Sequence, residues 1–125
     1  MDYYDDLETR DPEVREKALF ATLPGQIAHA KANAPHFTRL LKDVEPDQVR
    51  DRKALAQLPV TRKSDLITLQ KETPPFAEMT AVATGALGRV FSSPGPIYDP
   101  QGARGDFWRM GRALFAAGFR RGDLV

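Results

Sequence analysis

Apolar residues recur at helical spacing through the first two-thirds of the chain, and prolines cut that pattern into blocks. Asp11-Pro12-Glu13 opens the first block: Asp11 has an N-cap side chain, Pro12 suits a first turn, and Glu13 favours the positive end of the helix dipole. Val14, Ala18, Leu19 and Thr22 or Leu23 follow on one face. Pro24 either kinks this helix or begins a second one with Thr22 as its cap. Ile27, Ala28, Ala30, Lys31 and Ala34 then continue the period until Pro35 resets it. His36 to Val44 predicts another short helix with Phe37, Leu40 and Leu41 on one side. Pro46 to Val49 and Lys53 to Leu58 read as single turns. Thr61 is placed to cap a helix carrying Leu66, Ile67 and Leu69, which Thr73-Pro74-Pro75-Phe76 ends as a stiff connector.

Beyond Phe76 the pattern changes. Met79 to Gly88 is rich in Ala and Gly and suits a short strand and turn. The apolar run Gly88-Arg89-Val90-Phe91 predicts a strand that opens into the loop Ser92-Ser93-Pro94-Gly95-Pro96-Ile97-Tyr98-Asp99-Pro100. Phe107, Met110, Gly111, Leu114, Phe115 and Gly118 form a stripe that predicts a helix over 105–118. Gly122-Asp123 reads as a turn and Leu124-Val125 as the start of a strand. A lone strand–loop–helix–strand unit makes no stable parallel sheet, because such sheets need several strands covered on both faces. The class expected is therefore α/β, an N-terminal helical layer leading into the first unit of a longer protein's core. Three regions follow: a mobile N-terminus over 1–10, a helical segment over 11–76, and the start of the core over 77–125.

Composition narrows the function classes. The 18 basic and 17 acidic side chains nearly balance, which argues against nucleic acid or an anionic membrane as partner. Cysteine is absent, removing disulfides, thiolate metal sites and thiol nucleophiles. The acidic opening Met1-Asp2-Tyr3-Tyr4-Asp5-Asp6 is unlike a secretory signal, so a cytoplasmic location is expected. His29 and His36 lack carboxylate or Cys neighbours at ligand spacing and read as structural, and no metal site is expected. Trp108 sits one step off the apolar stripe and reads as core edge.

A Ser/Gly loop after a strand is suited to holding phosphate or carboxylate. Ser92 and Ser93 bring hydroxyls, and Gly95 lets the backbone approach closely. The spacing is neither a Walker A loop nor a dinucleotide fingerprint, and Pro94, Pro96 and Pro100 each remove a backbone donor. A rigid proline-rich connector is the competing reading.

Two flanking segments speak to this choice. Leu58-Pro59-Val60-Thr61-Arg62-Lys63-Ser64-Asp65-Leu66, the Ser-Ser/Pro-Gly loop, and Ala116-Ala117-Gly118-Phe119-Arg120-Arg121-Gly122-Asp123-Leu124-Val125 resemble, in that order, the phenylacetate–CoA ligase branch of the adenylate-forming enzymes. Ala34-Pro35-His36-Phe37 is similar to a further family region. The resemblance runs from about Leu19 onward and implies a carboxylate activated by ATP to acyl-AMP, then captured by coenzyme A. It implies Mg²⁺ with the ATP, a small and aromatic acid as substrate, and allows a homodimer. No catalytic residue of such enzymes falls within these residues. Nucleotide contact is implied for Ser92, Ser93, Gly95 and Tyr98, with Asp99 the position that would alter it. The family loop, Ser-Ser-Gly-Thr-Thr-Gly-x-Pro, is only partly kept. Aligned on Gly95 and Pro100, its two serines fall at Ser93 and Pro94, its threonines at Pro96 and Ile97, its second glycine at Tyr98 and its variable position at Asp99. A non-catalytic relative that has given up ATP is the alternative.

Overall fold

The computed structural model describes residues 2–124. Helix α1 runs Pro12–Asn33, and both Glu13 and Val14 amides donate to the Asp11 carboxylate. It passes through Pro24 without ending. An interior proline loses one helical hydrogen bond, and here the ring is buried beside Ile27, so packing offsets the loss. Helix α2 spans Pro35–Leu40, shorter than the 36–44 expected. A single turn at Pro46–Gln48 leads to α3 (Arg52–Leu55), capped by Asp51. Ile27, Leu41 and Val49 form the centre of this helical layer, with Leu23, Phe37 and Leu58 against it.

Helix α4 covers Lys63–Glu72. Arg62 stands at its N-cap position and makes no side-chain bond there, so Thr61 is not the cap. Two residues after Thr73–Phe76 are forced into left-handed backbone, Ala77 and Glu78, each with φ of 55°. The Glu78 carbonyl accepts from the His36 amide, and its carboxylate meets Arg39 at 2.6 Å. Those contacts tie the connector to α2.

The sheet is a hairpin. Strand β1 (Leu87–Ser93) turns at Pro94–Pro96 into β2 (Ile97–Gly102), antiparallel, with Ser93 opposite Ile97 and Val90 opposite Pro100. The loop thus leads to a second strand and not directly to a helix. Pro100 is tolerated because β2 is an edge strand. Tyr98, two residues earlier, has its N–H turned away from β1, so the missing Pro100 donor belongs on that same outer side.

The final helix, α5, covers Gly111–Ala116, much less than the 105–118 predicted. Asp106 and Arg109 take left-handed φ values of 46° and 55°, which breaks the helical path before it starts. The Asp106 carboxylate instead accepts from the Met110 and Gly111 amides. Residues 2–10 fold back on α5: Arg112 donates to both Asp5 oxygens, and Tyr4 meets Phe115 edge-on at 5.9 Å. Leu124 is fully exposed, and Val125, where a strand was expected to open, lies outside the described residues. No helix among the described residues is long and apolar enough to cross a membrane.

Candidate functional site

Strand alternation decides how the candidate residues are presented. Ser92 lies directly opposite Tyr98, so their side chains share one face of the hairpin. Ser93, Ile97 and Asp99 fall on the other face. The five residues singled out from sequence are therefore close along the chain but divided between two faces. Ser92 and Tyr98 are exposed, Ser93 and Asp99 half-buried, and Ile97 is 3% exposed.

Gly95 sits at the tip with φ of 150°, a backbone that side-chain-bearing residues rarely adopt. A Cβ there would lie 3.1 Å from Ile97 Cγ1 and 3.3 Å from Ile67 Cγ1. The tip is thus pressed against α4. Its amide is the one donor within the turn, since Pro94 and Pro96 have none. The Ser93 hydroxyl donates to the Ile97 carbonyl at 3.5 Å, long for such a bond, and remains free to find a better acceptor.

One contact was missed in the sequence. Gln70 of α4 is buried, with its carboxamide accepting from the Tyr98 amide and donating to the Tyr98 carbonyl, both at 2.9 Å. The signal was a polar residue one helical turn beyond Leu66, on the apolar side of α4. Beside the hairpin, a cleft of about 770 Å³ is lined by Tyr98, Asp99, His29, Arg104, Phe107 and Trp108 among others. Trp108 donates its indole N–H to Gln101 and packs edge-on to Phe107 at 5.1 Å and to Phe91 at 6.5 Å. Among the described residues no group of three His, Asp or Glu could hold a metal ion.

No family model matches the chain. Over 112 residues it is 32% identical to a phenylacetate-coenzyme A ligase of Aromatoleum evansii, an alignment covering 82% of this chain and 24% of that protein. The chain belongs to the phenylacetate–CoA ligase-like adenylate-forming enzymes. Solved structures agree. A 2-hydroxyisobutyryl-CoA ligase, crystallised in its postadenylation state with 2-HIB-AMP, superposes with a TM-score of 0.78 at 26% identity, over 92% of this chain and 26% of that one. The same ligase in an open conformation, with 2-HIB-AMP and CoA, gives 0.72 at 26% identity, over 92% and 28%. The chain spans about a quarter of the length of these relatives, a portion that fits the N-terminal part of an adenylate-forming ligase.

Proposed function

We propose that this chain supplies the N-terminal part of an ATP-dependent acyl- or aryl-CoA ligase, and that the β1–β2 turn is its altered phosphate loop. In that reaction a carboxylate displaces pyrophosphate from ATP to give an acyl-AMP, and coenzyme A then displaces AMP to form the thioester. The observation that carries the reading is the match over 92% of the chain to a ligase bound to an acyl-adenylate, with the Ser-Ser/Pro-Gly turn at the tip of the hairpin. The donors that this chain offers a phosphate are the Ser92 and Ser93 hydroxyls, the Gly95 amide and the Tyr98 phenol. Ser92 and Tyr98 would hold it from one face and Gly95 from the tip. Asp99, on the other face, sets the local charge against an anion. Mg²⁺ would arrive with the nucleotide, and the acid, small and aromatic by family likeness, would be held by residues that this chain does not include. A homodimer and a cytoplasmic setting are consistent with this reading.

A second reading is favoured by a specific observation: Ile97 is buried at a position where the family loop has a hydroxyl. At about 1.5–3 kcal/mol per hydrogen bond to a charged group, losing two such donors weakens triphosphate binding by orders of magnitude. On this view the protein is a non-catalytic ligand-binding or regulatory relative. Calorimetric titration of the full-length protein that carries this chain with Mg²⁺–ATP, run on the wild type and on a Tyr98→Gly, Asp99→Lys double variant, separates the two. Measurable wild-type binding that tightens in the double variant supports the ligase reading. No binding by either protein retires it.

A further inference from the structure

Helix α4 meets the sheet through one polar side chain. Gln70 is 9% exposed, the one polar residue buried to that degree among the described residues. Its two bonds to Tyr98 use both hydrogen-bonding groups of a single peptide residue, at equal lengths of 2.9 Å. This is the pair of bonds that a neighbouring strand would make. Tyr98 stands opposite Ser92 with its N–H and C=O turned outward from β1, so without Gln70 both would face a sheet edge with no partner. A glutamine carboxamide presents the same donor and acceptor as a peptide group. The turn residue Gly95 is held against Ile67 of the same helix, so the hairpin touches α4 at two points on either side of Ile97.

We propose that Gln70 is a positioning residue that acts as a one-residue strand, fixing the Tyr98 backbone and through it the Pro94–Pro96 turn relative to α4. Its bearing on nucleotide contact rests on the function proposed above. The structural part stands without it. Any apolar replacement leaves two part-buried peptide groups unpaired, and a carboxylate replacement sets an unprotonated oxygen against the Tyr98 carbonyl oxygen, a repulsion that pushes the side chain away from both groups. A protonated carboxyl has both an acceptor and a donor. That asymmetry makes Gln70→Glu a titratable version of the same clasp.

The test is amide hydrogen exchange on the full chain between pH 4 and 8, comparing wild type, Gln70→Glu and Gln70→Met. The groups beside Gln70 whose charge bears on the measurement are His29, Asp99, Arg104 and Arg109 in the cleft and Lys71 and Glu72 on α4. Wild-type protection over the same range removes their contribution. In Gln70→Glu, Tyr98 protection should equal wild type at the acid end and fall about tenfold to hundredfold as the carboxyl ionises. That ionisation should come above the ordinary value of about 4.3, because burial disfavours the charge. Gln70→Met should show the loss at every pH. The Leu41 amide, bonded to Phe37 in the helical layer, should keep its protection in both variants.

Tyr98 protection in Gln70→Glu that tracks wild type across the range would overturn the proposal. So would parallel loss at Tyr98 and Leu41, which would mean general unfolding and no positioning. For the nucleotide, Mg²⁺–ATP affinity of Gln70→Glu should fall with the same pH midpoint as the exchange. Wild-type binding with a pH-independent affinity in the variant would remove the nucleotide role. Absence of any wild-type binding would instead retire the function proposed above, with exchange still deciding the clasp.

Discussion

Replacing Gly95 with alanine adds one methyl group at the most confined point of the hairpin. Two costs follow from the geometry. The φ of 150° is rarely open to a residue with a Cβ, and holding one there costs about 1–3 kcal/mol. The methyl would also meet Ile97 Cγ1 at 3.1 Å and Ile67 Cγ1 at 3.3 Å, and crowding of that kind costs about 1–3 kcal/mol where the neighbours cannot move. Ile97 is buried and has little room to yield, but Ile67 is half-buried and can give way, which keeps crowding below the top of its range, so the combined loss should be about 2–4 kcal/mol. Native stability is about 0.05–0.15 kcal/mol per residue, and with seven buried hydrophobic residues among those described this chain belongs near the low end. The change is therefore a large fraction of the whole. Urea unfolding followed by Trp108 emission is a suitable assay, because the chain has a single tryptophan and it packs against Phe91 of β1. With a slope of about 1–3 kcal/mol per molar, the midpoint should drop by about 1–2 M. Gly25→Ala serves as the opposite case: its Cβ would meet nothing within 4 Å inside α1, so it should stabilise by about 0.5–1 kcal/mol. A Gly95→Ala midpoint within about 0.3 M of wild type would refute the claim that the turn is pinned against α4.

Further outcomes follow from other contacts. Ile27→Ala opens a hole in the Ile27–Leu41–Val49 cluster and should lower stability by about 2–3 kcal/mol in a thermal melt read by circular dichroism, toward the low end for such changes because half-buried neighbours can close in. Burial, and then the Arg39 charge, push the His36 pKa below its ordinary value, while Glu78 opposes them. As pH falls below about 6.5 the unfolded chain therefore binds a proton that the folded chain does not, and stability should decline until folded His36 protonates as well. His36→Gln should remove that decline in urea midpoints measured from pH 5 to 8. Asp5, whose carboxyl is held below the usual carboxylate range by its hydrogen bond to Arg112, anchors the first residues on α5. Asp5→Asn should raise amide exchange over residues 4–8 and leave that of α1 unchanged.

The helical layer was legible because its signals are local. Asp11 acts through bonds within three residues and Pro12 through its own fixed φ, and the periodic apolar positions need only a facing surface. Pro24 left a kink or a new start open, and the answer lay in burial of its ring, which no local pattern shows. The hairpin was hidden for a related reason. Asp99 and Pro100 are poor strand formers, and they sit in β2 because Gln70, about thirty positions away in sequence, pairs the outer edge at Tyr98. The long final helix was overstated because the stripe over 105–118 is real but Asp106 binds its own downstream amides and interrupts it. For the candidate site, the turn at Pro94–Pro96 was legible, but the rest of the loop expected over 92–100 is strand. The division of Ser92 and Tyr98 from Ser93 and Asp99 was not legible, since it depends on strand register.

The central claim is that the Pro94–Pro96 turn faces the phosphates of a nucleotide. Amide chemical shifts of the isotope-labelled protein, followed during titration with Mg²⁺–ATP, test it most directly. Saturable shifts are expected, centred on Ser92, Ser93, Gly95 and Tyr98, with the α1 amides unmoved. Titration to millimolar nucleotide with those four amides unchanged, or with shifts confined to another part of the chain, would contradict it.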